Sequence, residues 1–126
     1  MRVEEVMNKD IITIDASEHP IEAVKKMFKK GVRRLFVTQN KKIIGVISYT
    51  DIAGIDISNK KIKIKDIMTK KPIKIPAEKD IKVAANLMLR SDVSGLLVTK
   101  NNKEVGVITK TDICRLVASG KLVPKK

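Results

Sequence analysis

The apolar residues of this chain keep two different spacings, and the switch between them recurs along the sequence. Ile81, Ala84, Ala85, Met88 and Leu89 fall at i, i+3, i+4, i+7 and i+8, which is one stripe of an amphipathic helix. Ile21, Val24, Met27 and Phe28 trace a matching stripe earlier in the chain. Asp80 is placed to cap the second helix, Pro20 suits the first turn of the first, and Gly31 marks its end. Short apolar runs surround these helices: 11–14 and 73–75 before them, 35–37 and 96–98 after them, then 43–47 and 105–108 beyond polar turns at 39–42 and 100–103. Runs of that length bounded by turn formers predict strands, the last two of each set closing a hairpin. A turn of helix around Met7 or Met68 precedes each set, and a helix beginning near Tyr49 or Lys110 follows it. The predicted order β-α-β-β-α, stated twice, is an α/β fold.

The two sets are copies of one another. Residues 16–52 align with residues 77–113 without a gap at an offset of 61. Identical pairs include Ala23/Ala84, Met27/Met88, Leu35/Leu96, Val37/Val98, Asn40/Asn101, Gly45/Gly106 and the Thr-Asp-Ile that ends each copy. Upstream, Val6-Met7 matches Ile67-Met68 at the same offset. A module of about sixty residues is marginal alone. Each copy is therefore expected to bury a sheet face against its twin in a pseudo-two-fold pair, with two related clefts between the halves. The turn formers at 54–61 mark the linker, giving a first motif over 1–55, a linker over 56–63, a second motif over 64–118 and a basic C-terminal tail over 119–126.

Composition narrows the chemistry. Aromatic residues make up 2% of the chain, so the core is expected to be aliphatic, with Phe28 and Phe36 inside it, and no platform of stacked aromatics for single-stranded nucleic acid can be assembled. No apolar run approaches the roughly 20 residues needed to cross a bilayer, and the N-terminal decad mixes acids with bases, so a cytoplasmic protein without membrane contact is expected. The single Cys114 lies in an apolar-flanked helical stretch and reads as a small buried hydrophobe. Net charge is +13. It is spread, with 13 basic against 8 acidic residues in 1–63 and 14 against 6 in 64–126. Dispersed lysine supplies only weak, salt-sensitive, sequence-indifferent nucleic-acid binding.

The candidate chemistry sits in the repeated Gly-Val-Ile-(Ser/Thr)-x-Thr-Asp, residues 45–51 and 106–112. Ser48 with Asp51, and Thr109 with Asp112, have the spacing of helix N-caps with an acid in the first turn. A hydroxyl and exposed amides at a strand-to-helix junction also suit a phosphate, and a carboxylate can accept hydrogen bonds from a ribose diol. The two uses are compatible. An enzyme would need a nucleophile with a base, a carboxylate pair or a metal cluster, and none is evident: His19 is the only histidine and sits at a helix start, as a cap or exposed residue.

Through these motifs the chain resembles a tandem cystathionine-β-synthase (CBS) domain pair, or Bateman module, across essentially its whole length. The features that match are Val-Met-Asn and Ile-Met-Thr opening the copies, the Leu-Phe-Val and Leu-Leu-Val strands, and the Gly-Val-Ile-(Ser/Thr)-x-x-Asp endings. The resemblance implies a regulatory or sensor module that binds AMP, ADP, ATP, S-adenosylmethionine or methylthioadenosine, requires no cofactor and catalyses nothing. It implies that Asp51 and Asp112 hold ribose and that Ser48, Thr50, Thr109 and Thr111 meet phosphate or ribose oxygens. Backbone around Asn8, Ile12, Thr69 and Ile73 would frame adenine, with Val32 and Val93 on its face. Residues before the Leu-x-Val strands would cross to the opposite motif, so that Arg33 and Arg34 serve the Asp112 site as phosphate ligands while Ser94 and Gly95 serve that of Asp51.

A homodimer is expected too, through apolar residues on the short helices at 52–55 and 113–117, and a separate effector protein is the expected partner. Two alternatives stand beside this reading: a basic nucleic-acid-binding protein, suggested by the lysines between 60 and 71, and an accessory subunit acting mainly through protein contacts.

Overall fold

The computed structural model describes residues 1–121, so residues 122–126 of the expected basic tail lie outside the described residues. A 3-10 turn at Val3–Glu5 is followed by β1 (Thr13–Asp15), α1 (Pro20–Lys30), β2 (Arg34–Gln39), β3 (Lys42–Ser48) and α2 (Tyr49–Ala53). Next come α3 (Ile64–Ile67), β4 (Thr69–Lys70), β5 (Lys74–Pro76), α4 (Ile81–Ser91), β6 (Gly95–Lys100), β7 (Lys103–Thr109) and α5 (Lys110–Ala118). This is the tandem β-α-β-β-α order expected from the sequence.

Two hairpins set the register of the sheets. Asn40-Lys41 joins β2 to β3 at φ 53° and 65°, and Asn101-Asn102 joins β6 to β7 at φ 53° and 62°. Positive φ at both central positions makes a type I′ turn, whose twist matches that of the paired strands, and Asn accepts that backbone readily. The pairing then slips by one residue after Val37 and after Val98, leaving Ile44 and Val105 as bulges. β1 adds to β2, and β5 to β6, in parallel. Parallel neighbours need a crossover, which α1 and α4 supply.

Two compact units result, and neither coincides with one sequence repeat. Residues 12–72 form the first, here the Asp51 unit; residues 1–11 join the chain from Ile73 onward in the second, the Asp112 unit. In the Asp51 unit β4 extends the sheet, with Thr69 opposite Val46 and Lys70 opposite Gly45. In the Asp112 unit the same place is taken by Asn8, which bridges to Val107. The cores repeat position by position: Ile14, Ala16, Leu35, Val37, Ile47 and Ile64 in one unit, and Ile75, Ala77, Leu96, Val98, Ile108 and Val3 in the other.

The helix ends follow local chemistry. Asp80 accepts from the Lys82 amide at 2.9 Å, and that bond holds its carboxyl below the usual carboxylate range. The folded-state value is depressed, so the cap is present above that range and is lost on acidification. Nδ1 of His19 accepts from the Ile21 amide at 3.1 Å while Nε2 lies 2.9 Å from the Asn59 carbonyl. These partners place the imidazole proton on Nε2 and make the ring a cap.

Three burial expectations are corrected. Phe28 is 90% exposed, and its counterpart Leu89 is 69% exposed. The buried stripes are Pro20, Ala23, Met27 and Ile81, Ala84, Met88; one residue further along turns the side chain about 100° away. Cys114 is exposed, because α5 packs through Ile113 and Leu116 on either side of it. Ile52, expected on an outer apolar face, is buried in the core, and Val117 is exposed.

Gly31 ends α1 in the left-handed region at φ 67°, whereas Asp92 ends α4 there at φ 53°. Glycine occupies that backbone without the steric cost an L side chain incurs. Asp92→Gly is expected to stabilise the fold by about 0.5–1 kcal/mol, read as a rise in thermal midpoint; an unchanged or lower midpoint contradicts this.

Candidate functional site

The end of β3 and the end of β7 each deliver a hydroxyl residue to the start of a helix. In the Asp112 unit, Oδ2 of Asp112 accepts from the Thr109 amide and hydroxyl, both at 2.9 Å. The Asp112 amide in turn donates to Oγ1 of Thr109 at 3.2 Å. The hydroxyl thus donates once and accepts once, a complete capping box. In the Asp51 unit, Oδ2 of Asp51 accepts from the Ser48 amide at 2.8 Å and from its hydroxyl at 3.0 Å.

Ser48 has only one hydroxyl hydrogen, and Asp51 takes it. The 2.8 Å contact between Ser48 Oγ and Thr50 Oγ1 therefore uses the hydrogen of Thr50. Thr50 keeps lone pairs but no spare donor. Thr111, its counterpart, makes no side-chain hydrogen bond among the described residues, so it can both donate and accept. In both units Oδ1 of the aspartate has no partner among the described residues. Each aspartate therefore holds its helix start with one oxygen and presents the other.

The remaining predicted residues divide between the units. Arg34 lies opposite Ser48 in the sheet register, and the Arg33 carbonyl accepts from the Tyr49 amide at 2.9 Å. Their counterparts repeat this: Gly95 opposes Thr109, and the Ser94 carbonyl accepts from the Lys110 amide at 3.0 Å. Val32 and Val93 pack against the two cores, half-buried. The carbonyls of Ile12 and Ile73 accept from Phe36 and Leu97, both at 3.0 Å. The Asp51 unit thus holds Ile12, Val32, Arg33, Arg34, Ser48, Thr50 and Thr69, and the Asp112 unit holds Asn8, Ile73, Val93, Ser94, Thr109 and Thr111. Asn8 and Ile12, close in sequence, belong to different units.

Sequence reasoning missed what the motif glycines do. A Cβ on Gly106 would stand 2.7 Å from the Asn8 carbonyl and 2.7 Å from Sδ of Met7; one on Gly45 would stand 2.7 Å from the Thr69 carbonyl and 2.6 Å from Sδ of Met68. Glycine there lets a second backbone lie against the strand. The signal was present, since a glycine inside both copies of an otherwise apolar strand marks a close approach. Among the described residues no group of three or more His, Cys, Asp or Glu is arranged to hold a metal ion, and no helix is long and apolar enough to cross a membrane.

Comparison with known proteins agrees with this geometry. The CBS domain family matches residues 3–57 and again 64–119. The crystal structure of the CBS domain pair of protein MJ0100, in complex with 5′-methylthioadenosine and S-adenosyl-L-methionine, superposes with a TM-score of 0.82 at 30% identity, covering 92% of this chain and 98% of that one. Among sequences, protein MJ1232 of Methanocaldococcus jannaschii is 36% identical over 122 residues, 96% of this chain and 40% of the relative. The inosine-5′-monophosphate dehydrogenase of the same organism is 31% identical over 116 residues, which are 90% of this chain and 23% of the enzyme. The chain therefore spans less than half the length of these two relatives.

Gly45→Ala and Gly106→Ala are each expected to cost roughly 1–3 kcal/mol in urea unfolding, because the obstructing atoms include backbone carbonyls. Gly54, whose Cβ position is open, is the control. Alanine tolerated equally at all three positions would overturn the close-approach account.

Proposed function

The chain belongs to the CBS-domain family, and on that premise we propose that it is a regulatory or sensor module that binds an adenosine-containing ligand. It performs no catalysis of its own and acts in the cytoplasm through a separate effector protein. The observation that carries the reading is the half-used carboxylate at each helix start. Oδ2 is fixed by the cap, so Oδ1 is held in place and can accept from a ribose diol without the side chain being ordered anew. The methylthioadenosine and S-adenosylmethionine bound by the MJ0100 pair support an adenosine ligand of this kind.

Within this reading Asp51 and Asp112 hold ribose, and Thr50, Thr111, Ser48 and Thr109 supply hydroxyls or amides to ribose or phosphate. Main chain at Asn8, Ile12, Thr69 and Ile73 frames the base, against Val32 and Val93. Thr111, with both its donor and its acceptors available, is the more versatile hydroxyl. The Arg33 and Arg34 guanidiniums serve phosphate, with the Asp112 event as the tighter one for AMP, ADP or ATP. A methylthioadenosine-like ligand without phosphate suits the Asp51 event. Self-association into a homodimer belongs to the same proposal.

Titration calorimetry tests it. AMP, ATP, S-adenosylmethionine or methylthioadenosine is expected to give heat, with guanine and pyrimidine nucleotides much weaker. Saturation at 100-fold over the dissociation constant adds about 2.7 kcal/mol of stability. Asp112→Ala, or alanine at both Arg33 and Arg34, is expected to remove the tighter AMP event, while Asp51→Ala leaves it within about twofold. No heat with any of the four ligands at millimolar concentration would sink the reading; loss of the tight event in Asp51→Ala, with no effect at the arginines, would sink the assignment.

A further inference from the structure

Met1–Ile11 packs on the Asp112 unit, yet no peptide bond joins it directly to Ile73 and the chain beyond. It reaches that unit only by way of residues 12–72. Its seat is nonetheless specific. Val3 donates to the Lys79 carbonyl at 2.8 Å, Glu4 to that of Ala77 at 3.0 Å, and Ile81 donates to the Met1 carbonyl at 3.0 Å. Asn8 and Val107 exchange bonds of 2.8 and 2.9 Å. Val3 is fully buried in the core of the unit, with Val6 and Met7 packed against it, and Lys100 pairs with Glu4 at 3.2 Å. In the Asp51 unit the corresponding segment is followed by β4, with two residues in the ladder. The bridge at Asn8 is a single residue pair.

That bridge stands at the functional end of its strand. Val107 lies two residues before Thr109, which with Asp112 forms the capping box, and Asn8 carries main chain proposed to frame the base. We propose that Met1–Ile11 is a strap whose docking completes the Asp112 site, so that ligand occupancy and strap closure are thermodynamically linked. The proposal rests on the adenosine-binding reading and adds to it a regulated element. Ligand bound at Asp112 needs Asn8 in place; a lifted strap removes it. Lifting also unpairs the N–H and C=O of Val107 on the edge of the sheet and opens the seat of Val3. An open edge of this kind is one to which a partner strand can add. The ligand would then control whether that edge is offered to an effector.

Linkage gives the strap a quantitative signature. If a ligand binds only the closed form, opening becomes rarer by the factor 1 + [L]/Kd, and amides that exchange through opening slow by the same factor. Hydrogen exchange with AMP and with ATP as probes, in the Asp51→Ala variant so that only the Asp112 event remains, reads this directly. At 100-fold over Kd, the amides of Val3, Glu4, Asn8, Ile81 and Val107 are expected to slow about a hundredfold. Those of Ile64 and Lys65, which seat the counterpart segment on Glu18 and Ala16, are expected to change little. Val3→Ala supplies the second arm: it loosens the strap without touching a ligand-facing residue. If its closed population falls to about a tenth, the apparent Kd of the Asp112 event rises about tenfold, with the Asp51 event unchanged in the otherwise native chain. Heat of binding with no slowing of the strap amides overturns the linkage and leaves the binding reading intact. Uniform slowing in both units overturns it too, as general stabilisation. No heat from AMP, ATP, S-adenosylmethionine or methylthioadenosine in the unaltered protein overturns both.

Discussion

Oδ2 of Asp112 accepts from the amide and the hydroxyl of Thr109, and the direction in which the remaining carboxylate oxygen is held depends on that cap. A carboxylate at a helix start would otherwise rotate freely and be solvated on both oxygens. Held by two bonds, it leaves a single oxygen in a fixed direction at the start of α5. A cap of this kind stabilises a helix by roughly 1 kcal/mol, enough to be retained for folding alone. The ligand-holding use proposed for it adds little conformational cost, because the order is already present before a ligand arrives. The Asp51 unit repeats the device with Ser48, and there Thr50 is drawn into the hydroxyl network.

Close approach of backbones is the next constraint. Gly45 and Gly106 have no room for a side chain because Thr69 and Asn8 lie against them. Those contacts bring main chain from outside the hairpin to the strand that feeds each helix. In the proposed site the glycine of the motif thus acts through the neighbour it admits, while the aspartate acts directly. A substitution at either glycine disturbs packing and site geometry together, which is why stability and ligand affinity are expected to fall in step there.

Much of this was legible in the sequence. The period of the apolar residues and the gapless offset of 61 located every major helix and hairpin, and Asn at 40, 101 and 102 signalled the turns. The capping boxes were visible as Ser48/Asp51 and Thr109/Asp112. What was not legible depended on choices made in three dimensions. Val3 and Ile64 share one pattern, so either opening segment fits either copy by local chemistry; that residues 1–11 seat on the second copy is a tertiary outcome. Phe28 and Leu89 lie one position past a buried Met on their helices, where hydrophobicity alone does not fix the edge of the stripe. Cys114 was placed inside by its neighbours' character, although Ile113 and Leu116 carry the contact.

In the proposed function, one oxygen of each motif aspartate serves the fold and the other serves the ligand. A crystal structure of the full chain grown with AMP or methylthioadenosine tests it most directly. A ribose hydroxyl is expected about 2.6–3.0 Å from Oδ1 of Asp112 or of Asp51, with Oδ2 still bonded to Thr109 or Ser48. A ligand seated away from both aspartates, or a carboxylate turned out of its cap to reach the sugar, would contradict it.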